Sequence, residues 1–325
     1  MYKELMQVRT LTKAVALLFL CSTGTLISSL ASADEGGTSF WLPGQYGSMA
    51  AVPSDPGWSM PLIYFHNSAD AEGSREFSTA GEITLGMEAD IDLLLAVPTY
   101  AFANPVWDGQ LTLSVASVYG NADVGVDATL TAPGGGPVSG SETDSKTAFG
   151  DLFPSATLRW NDGVHNSMAY VMAGVPVGSY DVSRLANIGT NHWSLDGGGG
   201  YTYLNMETGR EFSAVAGLTY NFENSDTSYQ NGIDSHLDWA ASQFVSEQMH
   251  IGLAGYFFYQ LTGDSGSGAV LGDFKSQVIG VGPQLGYFFN MGEKQAYLNL
   301  KAYWETEAKA RPEGWNAWLT LALPF

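Results

Sequence analysis

The chain has 325 residues, 45% hydrophobic, 13% aromatic and 14% charged, with 39 glycines and a formal net charge of −20. The apolar and aromatic content excludes an intrinsically disordered chain, and the acidic balance excludes a nucleic-acid binder, which needs a basic footprint. The length alone would suggest two domains, but all-β barrels of this size fold as one.

In chain order, Lys3, Arg9 and Lys13 form a positive stretch, Ala14 to Leu20 an apolar one, and Ala31-Ser32-Ala33 a small-x-small site. This is the pattern of a secretory signal peptide over residues 1–33, cut before Asp34. The one cysteine, Cys21, follows Leu20, where a lipoprotein signal needs a small residue. No lipid anchor is expected, and the exported chain would carry no disulfide. Beyond residue 33 no apolar run reaches the roughly 20 residues of a membrane helix. A soluble exported β protein and an outer-membrane β-barrel remain.

Residues 34–58 are polar and turn-rich, with Pro43-Gly44 and Pro56-Gly57 as stops. They read as a periplasmic tail or as a segment folded into a lumen. From residue 59 onward the pattern is period two, which no helix has. Ile83, Leu85, Met87, Ala89, Ile91, Leu93 and Leu95 oppose Glu82, Thr84, Glu88, Asp90 and Asp92. Phe212 to Tyr220 alternate against Glu211, Ser213 and Thr219, and Leu237, Trp239 and Ala241 against His236 and Asp238. Val281, Leu285 and Tyr287 oppose Gly282, Gln284 and Gly286, while Leu298 and Leu300 oppose Asn299 and Lys301. Glycine and small residues blur 165–180 and 193–204; Gly197 to Gly200 lack a phosphate-loop context and read as a bend within a strand.

Twelve strands follow, at about 60–69, 81–101, 109–122, 148–160, 166–180, 191–205, 210–222, 232–244, 248–262, 274–290, 294–305 and 314–325. Connections at 161–164, 206–209, 246–247 and 291–293 are short, whereas 123–147, 181–190, 223–231 and 263–273 are longer. Short periplasmic turns and long external loops mark a transmembrane barrel. The last strand carries Trp315, Ala317, Leu319, Leu321, Leu323 and Phe325 on one face and ends on the aromatic. Such an end resembles the assembly signal of outer-membrane barrels, so the barrel-assembly machinery is an expected partner, read through Phe325. A buried last strand of a sandwich would alternate too, but has no reason to alternate its loop lengths. The predicted fold is therefore an all-β transmembrane antiparallel barrel over 59–325, in the bacterial outer membrane.

Glu35-Gly36-Gly37-Thr38-Ser39-Phe40-Trp41-Leu42-Pro43-Gly44, then Gly47 to Pro53 and Pro56-Gly57-Trp58, form a distinctive block. With Gly150-Asp151-Leu152, Pro154, Trp160 and the aromatic-ended last strand, it resembles the outer-membrane family labelled "MetA-pathway of phenol degradation". The resemblance spans 34–325 and departs mildly at Trp41, where a tyrosine is expected. It implies a transporter-like barrel associated with uptake of aromatic or other hydrophobic compounds, and it brings no catalytic residues.

Strand parity places Glu82, Glu88, Asp90, Asp92, Asp151, Arg159, Glu211, His236, Asp238, His250 and Lys301 in the lumen, because a base facing lipid at mid-membrane costs about 2–4 kcal/mol. They form either a structural network, in which Arg159 and Lys301 neutralise the acids, or the wall of a polar solute path. Phe40, Trp41, Tyr46 and Trp58 are the contacts expected of a plug. Acids in the external loops (Asp123, Asp127, Glu142, Asp144, Glu223, Asp226, Asp264, Asp273) are solvated charges or divalent-cation bridges to lipopolysaccharide, an expected partner together with lipid. The stretch from Asp264 to Gly268 is too loose for a calcium loop, and no metal site or cofactor is expected. His236 and Asp238 lie two apart on one strand, about 7 Å and too far for a catalytic pair. The functional reading is an uptake channel for small hydrophobic or aromatic solutes. A structural or adhesive barrel is the alternative, and an outer-membrane enzyme a third.

Overall fold

A strand that alternates apolar and polar residues needs a hydrogen-bonding neighbour on each edge, and in a membrane the only sheet without free edges is a closed one. The computed structural model describes residues 39–77, 81–131, 137–269 and 275–325, with side chains outside 72–85 and Leu130. The expected signal peptide and its cleavage site lie outside the described residues. The strands are β1 (Gly57–Phe77), β2 (Gly81–Ala96), β3 (Thr99–Ala101), β4 (Gln110–Thr131), β5 (Pro137–Asp162), β6 (His165–Gly174), β7 (Ser194–Asn205), β8 (Arg210–Asn221), β9 (Asp234–Phe244), β10 (Met249–Gln260), β11 (Gln277–Met291), β12 (Lys294–Lys309) and β13 (Glu313–Pro324). All pair antiparallel in one sheet, in chain order, and β13 closes on β1 from Ser59↔Pro324 to Asp70↔Glu313. The wall is a twelve-stranded barrel with β3 as an additional short strand.

β3 explains a difference from the expected single strand over 81–101. Leu62↔Ala96 on β2 and Ser59↔Thr99 on β3 keep one register with β1, and Ala96↔Ser117 and Thr99↔Ser114 keep one register with β4. β3 thus continues the line of β2 across Val97-Pro98. Pro98 has no N–H for the ladder, so the strand is interrupted there without a slip.

The expected loop at 123–147 is a second difference. Apart from 132–136, outside the described residues, it is strand: β4 and β5 pair from Gln110↔Arg159 to Thr131↔Pro137. Its acids suggested a loop, but Asp123 and Asp127 are exposed while Ala122 and Val126 are buried. This is the alternation of a sheet with its outer face in water. β6 ends at Gly174 rather than 180, leaving 175–193 as the connection to β7. Short turns at 163–164, 206–209, 245–248 and 292–293 lie at the end where β1 begins, and the connections 175–193, 222–233 and 261–276 at the other. Gly209 has φ 68° in its turn, where a side chain would be strained.

The lipid-facing side carries Tyr64, Leu113, Val115, Leu195, Leu218, Leu253, Phe257, Leu300, Trp304 and Leu319, all exposed. Strands β7 to β13 turn Thr202, Ser213, Asp238, His250, Gln284, Lys301 and Asn316 inward, all buried.

Candidate functional site: the lumen and its N-terminal segment

A twelve-stranded wall encloses more space than an eight-stranded one, whose interior side chains can fill. Here the chain before β1 occupies it. Phe40 and Trp41 are 6% and 1% exposed and belong to the same apolar cluster as Leu93 and Leu95 of β2, Met168 and Tyr170 of β6, and Tyr303 of β12. Phe40 packs on Phe153 at 5.7 Å, and Trp41 stacks on His236 with ring centroids 3.3 Å apart. Gly44 makes the bend: its φ is 83°, and a Cβ there would lie 2.8 Å from the Tyr303 ring.

Buried charges of the wall grip the backbone of this segment. The Gly44 and Tyr46 N–H groups each donate to Asp238 at 3.0 Å. Lys301 Nζ donates to the carbonyls of Gly44 (2.6 Å), Gln45 (3.0 Å) and Tyr46 (3.2 Å), and the Tyr303 hydroxyl donates to Gly44 as well. Further along, Glu211 accepts from Ser48 Oγ at 2.6 Å and from the Met49 N–H at 2.9 Å. The Ala51 N–H donates to Thr202 Oγ1 at 3.1 Å, and Arg159 Nε to the Ala50 carbonyl at 3.3 Å. Acids take N–H groups and bases take carbonyls, so backbone that would be orphaned in a lumen is satisfied. Burial pushes the Tyr46 phenol up to about 12, which keeps it neutral there.

Asp196 of β7 lies 3.0 Å from His236 Nε2 and accepts from Thr219 Oγ1 at 2.6 Å. His236 makes no hydrogen bond to Asp238; its partners are Asp196, the Tyr170 hydroxyl at 3.3 Å and the Trp41 ring. At the opposite end, Asp151 accepts from the Gly178 N–H and from the N–H and hydroxyl of Thr190, each at 2.8 Å. The Arg184 guanidinium and the Ala186 N–H bind Asp144. Two acids of β5 thereby hold the β6–β7 connection over the external mouth.

Between the segment and the mouth lies a cavity of about 60 Å3. Phe40 and Leu42 border it on one side, and Leu93, Leu95, Val118, Phe153 and Met172 of the wall on the other. Ile188 and Thr190 of the β6–β7 connection reach it from outside, and Gln45 and Asp151 supply polar atoms.

The structure thus places Asp151, Arg159, Glu211, His236, Asp238, His250 and Lys301 inside. Glu88, Asp90 and Asp92 require correction. Ile91, Leu93 and Leu95 are buried and point inward, while Glu88 and Asp90 are exposed on the outer face. The Asp92 carboxylate, also outside, binds the Tyr64 hydroxyl and His66 Nδ1. The expectation took the apolar face of this strand to meet lipid. This part of the wall instead shows water an outer face of Ser68, Asp70, Glu88, Asp90 and Asp123, and its apolar face packs inward. The side chain of Glu82 lies outside the described residues, as does Asp273. Trp58 is corrected too: it is the second residue of β1, is 57% exposed and packs on Tyr100 at 5.1 Å, in the outer aromatic belt and away from the segment. Among the described residues no group of three or more His, Cys, Asp or Glu could hold a metal. Sequence reasoning missed Asp196 and Tyr170; Asp196 abuts the glycine run that hid the alternation of β7.

Residues 73–321 match the model of the family described as MetA-pathway of phenol degradation. The chain belongs to this family. Among solved structures, an outer membrane channel from Pseudomonas putida F1 is 15% identical, covers 88% of this chain and 100% of its own, and superposes with a TM-score of 0.63. A Pseudomonas aeruginosa FadL homologue is 8% identical over 92% and 98% of the two chains, with a TM-score of 0.40. The transport unit of the autotransporter AIDA-I from Escherichia coli is 12% identical over 94% and 96%, with a TM-score of 0.39. No curated protein matches the sequence. The fold is that of a bacterial outer-membrane β-barrel, and the family's barrel is the setting for the lumen described above.

Proposed function

We propose that this family member is an outer-membrane channel for the uptake of small hydrophobic or aromatic solutes, with residues 39–56 as the gate of its lumen. The observation that carries this reading is the apolar cavity between Phe40 and Leu42 and the wall, partly covered on the outside by Ile188 and Thr190 of the β6–β7 connection. A purely structural barrel has no need of an apolar recess above a segment held by hydrogen bonds, which can be exchanged for water. The family description and the channel from Pseudomonas putida F1 point the same way. Lipid and lipopolysaccharide are the proposed partners of the outer aromatic belt and of the acidic rim above it.

The test is flux through purified protein in bilayers and liposomes, comparing ions, sugars and small aromatics. Deleting residues 35–57 removes every N-terminal contact to Asp238, Glu211 and Lys301. The truncated barrel is expected to conduct ions more strongly and to discriminate less among solutes. A truncated form that inserts normally and conducts as the parent does makes the segment a passive filler. Failure of both forms to pass any solute favours the structural reading.

A further inference from the structure

On the outer face of β7 to β10 an open groove of about 550 Å3 is sunk into the wall. Its floor is Gly197 and Gly198 of β7 with Ala216 and Gly217 of β8. Leu218, Leu237, Phe257 and Tyr259 rise beside it. The strand register explains the dip. Across the sheet Gly197 faces Leu218, Leu218 faces Ser235, and Ser235 faces Tyr259. In the next outward row, toward the periplasm, Gly199 faces Ala216, Ala216 faces Leu237, and Leu237 faces Phe257. Large outward side chains therefore stop short of β7. The floor glycines are of two kinds. A Cβ on Gly217 would point inward, collide with the Tyr170 hydroxyl and stand 2.7 Å from His236. A Cβ on Gly197 would meet only the Tyr170 carbonyl, at 3.7 Å. Packing inside the barrel accounts for Gly217 and leaves Gly197 unexplained.

The groove faces lipid, since Leu218, Phe257 and Tyr259 belong to the exposed apolar band. Each of its residues lies within five positions of the external end of its strand, at Ser194, Asn221, Asp234 or Gln260. Strands of 11 or 12 residues do little more than cross the hydrocarbon, so this depth is the outer leaflet. No Asp, Glu, Lys or Arg lines the groove, and Ser235 Oγ is taken up by the Tyr259 carbonyl at 2.8 Å.

We propose that the groove seats one acyl chain of a lipopolysaccharide molecule of the outer leaflet, laid over Gly197 and Ala216 against Leu218, Leu237 and Phe257. A lipid chain gains no hydrophobic energy by moving from other lipid onto apolar protein, so a flat part of the wall exchanges its neighbours freely. A groove differs, because a chain that stays out leaves a void whose lining has lost its contact atoms. An acyl chain is narrow, unbranched and apolar enough to fill it, whereas a headgroup would leave its water and find no partner there. Depth names the source. The outer leaflet of this membrane is lipopolysaccharide, whose chains share one headgroup, so one seated chain holds the whole molecule. The proposal concerns the lipid side of the wall and is independent of what passes through the lumen.

Native mass spectrometry of the intact barrel in mild detergent tests this, with titration of rough-type lipopolysaccharide and of phosphatidylethanolamine as the competing lipid. The parent is expected to keep one lipopolysaccharide per barrel in preference to phosphatidylethanolamine. Gly197→Leu fills the groove from outside without an inward clash, and should weaken that binding by about tenfold. Ala216→Leu fills it from the neighbouring strand and should do the same, which serves if the first variant assembles poorly. Leu300→Phe adds bulk to the lipid face at β12, away from the groove, and should bind as the parent does. Heat-modifiable migration shows that each variant is folded. Unchanged affinity in both filled variants overturns the proposal. So does an equal loss in Leu300→Phe, phosphatidylethanolamine held as tightly as lipopolysaccharide, or no lipopolysaccharide kept by the parent.

Discussion

Lys301 is 2% exposed and gives its three protons to three consecutive carbonyls of the N-terminal segment. Asp238 takes N–H groups of the same stretch and interacts electrostatically with Lys301. Lys301→Met keeps the bulk and removes the donors, leaving buried carbonyls short of partners, a cost of about 1–3 kcal/mol to the docked state. Cleavage within residues 39–56 by an added protease should become faster while the barrel stays folded; an unchanged rate would mean that the apolar contacts of Phe40 and Trp41 suffice. The pair Lys301→Met and Asp238→Asn should lose less than the two single changes added, because each single change strands an opposite charge in a buried site. Period-two alternation makes the inward position of Glu211, Asp238 and Lys301 legible from sequence. It says nothing of their partner, a backbone about 160 to 260 residues away. It misleads at Glu88, Asp90 and Asp92, where water rather than lipid meets the outer face.

At the scale of the strand, β13 shows what parity reads well. Trp315 and Leu319 are exposed, Asn316 and Trp318 are buried, and the strand pairs with both β12 and β1, so it is the seam of the barrel. Phe325 follows it, 63% exposed, and its N–H donates to the Trp58 carbonyl at 2.9 Å. Phe325→Asp keeps that backbone bond but puts a charge at the apolar end of the seam. A lower yield of heat-modifiable barrel in the outer membrane is expected, with normal solute behaviour in whatever assembles. Wild-type yield would argue against the proposed reading of this residue by the assembly machinery. Strand existence was legible nearly throughout, because each lipid-facing run alternates over enough residues. Strand ends were not. Beyond the lipid the outer face becomes polar while the hydrogen-bonded ladder continues, so β1, β4 and β5 run past the point where hydropathy stops reporting them.

For the whole molecule, the formal charge of −20 is partly carried into the lumen. Asp151, Asp196, Glu211, Asp234 and Asp238 are buried there; His236 stands beside Asp196, and the Lys and Arg side chains described in the lumen are Lys301 and the partly buried Arg159. In the intact protein, backbone N–H groups of the segment satisfy Asp238 and Glu211. Removing residues 35–57 takes those donors away and lets water into the space, so both carboxylates then stand hydrated on the wall of an open pore. A path lined by one excess sign of charge raises the local concentration of the opposite ion. The truncated barrel should therefore prefer potassium over chloride. A salt gradient across a bilayer reads this directly as the sign of the reversal potential, and the preference should weaken as salt rises and the Debye length shrinks from about 10 Å at 0.1 M to about 3 Å at 1 M. Glu211→Gln with Asp238→Asn in the same truncated barrel should reduce the preference without closing the pore. Chloride preference, or none at low salt, would mean that Lys301 and Arg159, freed from the segment's carbonyls, dominate the field.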